Sequence, residues 1–127
     1  MNRFAWVAVL GVVFATPAAA QELLEGRGTG QKKGYKADLE KAWRAMPRAV
    51  VQSGATVKES DKARCAVVGE TGVSAFSWGE RISVFCEKKS DTEVEIEVVS
   101  KRAFALNLAA SDSTSRIFTL LDSELGP

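Results

Sequence analysis

Residues 63–99 read ARCAVVGETGVSAFSWGERISVFCEKKSDTEVEIEVV, and their alternation decides the fold. Side chains on a strand change face at every residue. Ile82, Val84 and Cys86 therefore share one face, as do Val94, Ile96 and Val98, while Glu93, Glu95 and Glu97 point the other way. A turn at Lys89, Ser90 and Asp91 joins the two apolar rows by pairing 86 with 94, 84 with 96 and 82 with 98. The upstream strand, 63–69, carries Cys65 and Val67 on one face. Setting Cys65 opposite Cys86 places Val67 against Val84 and Gly69 against Ile82. A slip of one residue would turn every apolar side chain outward.

The chain begins with the three parts of an export signal. Arg3 supplies a positive charge, 4–15 form an apolar run, and Ala18-Ala19-Ala20 offers small residues for cleavage before Gln21. A membrane anchor is the competing reading, but the run falls short of the roughly 20 apolar residues that a spanning helix needs. Residues 1–20 are therefore expected to be a cleaved signal peptide, leaving a periplasmic or secreted protein with no stable membrane insertion. Export supplies an oxidising compartment, so Cys65 and Cys86 are expected to form a disulfide. Two buried core thiols are the alternative.

Cleavage removes only Arg3 among the charged residues, so 16 basic and 16 acidic groups remain. A neutral chain lacks the positive field on which non-specific nucleic-acid binding depends. Residues 21–36 interleave Gly26, Gly28, Gly30 and Gly34 with Arg27, Lys32 and Lys33, a composition expected of a flexible leader. The run Gly26-Arg27-Gly28-Thr29-Gly30 lacks the flanking strand and the Lys-Ser/Thr of a phosphate-binding loop.

A single α+β domain is expected over 37–127. Leu39, Trp43, Met46 and Val50 lie on one face of a helix over 37–52, which Gly54 ends. Pro47 inside it predicts either a kink over 43–47 or two shorter helices. Residues 55–60 read as a short strand. At the other end, Ser111, Asp112 and Ser113 offer caps to a helix carrying Ile117, Leu120, Leu121 and Leu125. The expected architecture is an antiparallel meander of three to four strands with both helices on one face and the Glu93, Glu95 and Glu97 row in water.

The connection 70–80 holds two aromatics, Phe76 and Trp78, which share a face if the segment is extended. They either cap the open edge of the core or anchor a partner. The pre-sheet helix, Ser77-Trp78-Gly79-Glu80, the strand over 94–100 ending in Ser-Lys-Arg, and the helix Arg116-Ile117-Phe118-Thr119-Leu120-Leu121 resemble small exported bacterial domains of unknown function. That resemblance implies a helix-sheet-helix fold and carries over no catalytic residue.

Chemistry is bounded by composition. Histidine, the commonest acid-base group and metal ligand, is absent from the sequence. Two cysteines alone make no zinc site, and three glutamates at alternate strand positions span about 13 Å, too far for one ion. Gly72-Val73-Ser74-Ala75-Phe76 lacks the final glycine of a nucleophile elbow. No catalytic, metal or cofactor-binding residue is expected. The expected function is a small non-enzymatic binding or envelope-assembly module with a protein partner in the cell envelope. An inhibitor or immunity-like protein that blocks another envelope protein is the alternative, and a hydrolase working without histidine ranks below both.

Overall fold

The backbone hydrogen bonds of residues 31–102 close into one five-stranded sheet, β1 (Gln31–Tyr35), β2 (Thr56–Asp61), β3 (Ala66–Thr71), β4 (Glu80–Ser90) and β5 (Glu93–Arg102), in the order β1-β5-β4-β3-β2. Every neighbouring pair is antiparallel. Two helices, α1 (Leu39–Gln52) and α2 (Asp112–Leu125), complete the α+β fold. The computed structural model describes residues 23–72, 79–102 and 112–126. Among these, no helix is long and apolar enough to cross a membrane.

The register of β3 on β4 follows the cysteine alignment: Val67 pairs with Val84 and Gly69 with Ile82. Cys86 N–H donates to the Cys65 carbonyl at 2.9 Å, and a disulfide joins the two residues with their Cα atoms 5.3 Å apart. That separation lies within the usual disulfide range. Cys65 itself belongs to a turn, with a left-handed φ of +50°. The Asp61 carboxylate organises this turn by accepting from Arg64 N–H at 3.1 Å and from its guanidinium at 2.7 Å.

The register of β4 on β5 is a correction. Cys86 pairs with Ile96, Val84 with Val98 and Ile82 with Ser100, two residues along from the expected alignment. Alternation cannot detect a shift of two, because faces are preserved. The turn decides the register: it is tighter than expected, centred on Asp91 and Thr92, with a bulge between Lys88 and Ser90.

A further correction is the fifth strand. Gln31–Tyr35, expected within a flexible leader, forms β1 and pairs with β5 from Gln31 opposite Val98 to Tyr35 opposite Val94. The chain then crosses through α1 to the far edge and returns by the meander β2-β3-β4-β5.

Helix α1 starts at Asp38, whose carboxylate accepts from Lys41 N–H at 2.7 Å. It runs unbroken through Pro47, so the two-helix reading is set aside. Its buried residues are Ala42, Ala45, Met46, Ala49 and Val50, while Leu39 is exposed and Trp43 half-buried. The buried stripe is therefore rotated from the expected large residues toward alanines, which let the helix approach the sheet closely. In α2, Ile117, Leu121 and Leu125 are buried as expected, whereas Leu120 is only half-buried at the edge of the core. Both helices meet Val67, Ile82, Val84, Val94, Ile96 and Val98 in one cluster on one sheet face.

Candidate functional site

Phe76 and Trp78, the candidate partner anchors, lie outside the described residues. Where their connection leaves and rejoins the sheet is described. Thr71 pairs with Glu80 and Glu70 with Arg81, so both ends of the loop are held by the ladder. The Glu80 carboxylate accepts from the Ser113 hydroxyl at 2.8 Å and from the Ser100 hydroxyl, tying this corner to α2 and β5. The disulfide lies at the opposite end of the β3-β4 pair, six positions from Glu80 along β4, or about 20 Å at roughly 3.3 Å per residue. The loop's base is therefore held by the Glu80 hydrogen bonds and the ladder, with the bridge at the far end of the strand pair.

The outer face of the sheet holds what sequence reasoning missed. Residues 23–30 lie across it, burying Leu23 with Ala66, Val68 and Phe85, and packing Leu24 and Val99 at the margin. This segment turns twice, through Arg27 N–H to the Leu24 carbonyl at 3.1 Å and Thr29 N–H to the Gly26 carbonyl at 3.0 Å. Gly28 takes a φ of +97°, a conformation that costs glycine little.

The turns aim two backbone N–H groups at one carboxylate. Gly28 N–H is shared between the two Glu97 oxygens at 2.9 and 2.8 Å, and Gly30 N–H reaches one of them at 2.8 Å. Glu97 is only 6% exposed. Its neighbours follow a gradient, Glu95 half-buried and Glu93 exposed, so the expected row of three solvated glutamates holds only at its start. The reason is the covering arm: a carboxylate under it is satisfied by backbone donors instead of water.

Charged contacts flank this clasp. The Arg27 guanidinium sits 5.4 Å from the Phe85 ring centroid and donates at 3.4 Å to the Arg64 and Cys86 carbonyls. Lys101 bonds Glu25 at 3.1 Å and, helped by the charge of Arg81, holds the Glu25 carboxyl below its usual range. Beyond β1, Asp122 of α2 accepts from Lys33 at 2.7 Å and from the Tyr35 hydroxyl at 2.8 Å. The Lys33 hydrogen bond, followed by that of Tyr35, lowers the Asp122 pKa; burial first, and then Asp122, raises that of Tyr35.

Two clefts border the arm. One, of about 120 Å³, is lined by Arg27, Gly28, Lys32, Phe85, Glu95 and Glu97 among others. The second, of about 260 Å³, is lined by Glu25, Thr29, Arg81, Ser83, Ser100 and Lys101 among others. Among the described residues, no group of three acidic or cysteine side chains is placed to hold a metal ion.

No family model matches the chain, and neither does any curated protein. A solution NMR structure of a Thermobifida fusca protein is similar at 8% identity and a TM-score of 0.45, over 75% of this chain and 82% of that one, a likeness that carries no functional argument.

Proposed function

We propose that this chain is exported and works as a small non-enzymatic protein-binding module of the cell envelope. The observation that carries the reading is the Cys65–Cys86 disulfide, which closes neighbouring strands of the sheet. Such bridges persist in oxidising compartments, and this one accords with the tripartite leader over 1–20. The connection containing Phe76 and Trp78 is the proposed contact surface. Its two ends are pinned by the Thr71–Glu80 pair and by the Glu80 hydrogen bonds, and a loop with fixed ends loses less entropy on binding.

The test is crosslinking and capture from the envelope fraction, with the mature protein and its Phe76→Ala and Trp78→Ala variants as baits. The expected result is one partner held by the wild type and lost from both variants, whose melting stays within about 0.5 kcal/mol of wild type, as for exposed substitutions. Destabilisation of both variants by about 3 to 5 kcal/mol identifies the aromatics as core and removes the binding site. A structural envelope component as the partner identifies an assembly module. A toxin or hydrolase identifies an inhibitor. Intact mass supplies the export arm: the mature chain should begin at Gln21, and a membrane-embedded species retaining Met1 would overturn export.

A further inference from the structure

We propose that the N-terminal arm, residues 23–35, is an exchangeable element, and that the slot it fills on β5 and the outer sheet face also accepts the arm of a second copy of this chain. This inference rests on the fold alone and is independent of export.

The arm's attachments are all distant in sequence. Its ladder pairs Gln31 with Val98 and Tyr35 with Val94. Its clasp joins Gly28 and Gly30 to Glu97, 69 and 67 residues away. Its ion pairs join Glu25 to Lys101 and Lys33 to Asp122, 76 and 89 residues away. Covalently, only 36–38 connect the end of β1 to the start of α1. A slot made wholly of distant residues presents the same ladder, clasp and ion pairs to an identical arm from another chain, which is the condition for exchanging an element between protomers. The open slot selects its occupant: a free strand edge on β5, an apolar patch at Ala66, Val68 and Phe85, and a carboxylate matched to the Gly28 and Gly30 donors.

Residues 23–30 of the arm bury little apolar surface against the outer face, where Leu23 is the one residue of this segment that is buried among the described residues. Clefts of about 120 and 260 Å³ lie on its two sides, and the outer cluster has four buried members, Leu23, Ala66, Val68 and Phe85. Elements with few buried contacts open first. Tyr35 sets the barrier, because it is 1% exposed in the inner core and must leave before the arm can move. Exchange is therefore slow at ambient temperature and is accelerated by annealing just below the melting midpoint.

The experiment mixes equal amounts of unlabelled and nitrogen-15-labelled wild-type protein at about millimolar concentration, anneals, and separates monomer from dimer by size. Carbodiimide then joins carboxylates to lysines already in contact, namely Lys33 to Asp122 and Glu25 to Lys101. The expected result is a dimer in which about half of these crosslinked peptides carry one labelled and one unlabelled strand, as random pairing requires. The monomer, as control, should give same-isotope links only. Absence of a dimer after annealing, or a dimer lacking mixed links at both pairs, overturns the proposal.

Discussion

Gly30, the residue just before β1, is where the chain comes too close to β5 for any side chain. A Cβ built there runs into the Val98 carbonyl oxygen and lies 2.8 Å from the Val98 carbonyl carbon and from Val99 Cγ2. Backbone cannot yield as a flexible side chain does, so Gly30→Ala should lose about 1 to 3 kcal/mol, the usual penalty of overpacking. Four residues on, a Cβ at Gly34 meets nothing within 4 Å. Gly34→Ala should be neutral or gain up to about 1 kcal/mol by restricting the unfolded chain. Chemical denaturation of the two variants checks the pair, and equal effects would mean that β1 does not sit against β5 as described. The same close approach gives Gly30 N–H to Glu97, so bulk and hydrogen bonding at this position fail together.

At the scale of elements, β1 is held to α2 by one acceptor. Asp122 takes both the Lys33 and the Tyr35 hydrogen bonds, and its pKa in the folded state is lowered, chiefly by Lys33. A depressed carboxylate stabilises the fold above its unfolded pKa of about 3.9, and that stability is lost as the pH falls through the lower folded value. The gap in stability between wild type and Asp122→Asn should therefore be full at pH 6 and close progressively below pH 4. A gap that is constant with pH would sink this account. Tyr35 acts at the other extreme: its raised pKa is a source of stability that fades as pH rises above about 10, and Tyr35→Phe should lack that alkaline loss. Legibility of the elements follows the same physics. The β3-β4 register was readable because Cys65 and Cys86 marked it, whereas the β4-β5 register was not, since only the turn separates alignments two residues apart. Strand β1 was hidden because QKKGY has a single buried residue, Tyr35, and owes its strand to backbone pairing at an edge. Glu97 carried no sequence signal of its own, since Glu95 is flanked by Val94 and Ile96 just as Glu97 is by Ile96 and Val98; its burial comes from the arm that covers it. The partner site is not legible at this scale, because Phe76 and Trp78 share a face only if their segment is extended, and a core cap and an interface anchor use the same side chains.

At the scale of the whole molecule, the inner core joins both helices to one face of the sheet, while the outer cluster is small and depends on the arm. The disulfide spans neither layer boundary. It closes the segment from Cys65 to Cys86, 21 positions apart in sequence, around the β3-β4 pair. Its contribution is therefore expected through the unfolded chain, whose freedom it limits by about 3 kcal/mol for a loop of this length. For a domain near 100 residues, each kcal/mol moves the melting midpoint by about 4 to 8 °C, so reduction should lower it by about 12 to 24 °C. The turn at Cys65 shifts the balance further, because a left-handed φ of +50° is unfavourable for cysteine and the bridge is one of the constraints that hold it there. Thermal melts with and without dithiothreitol measure the loss. Thiol titration of the unfolded, unreduced protein gives the companion number, expected to be zero. Two reactive thiols, or melts that coincide under both conditions, would show that the fold does without the bridge and would take away the observation on which the export reading rests.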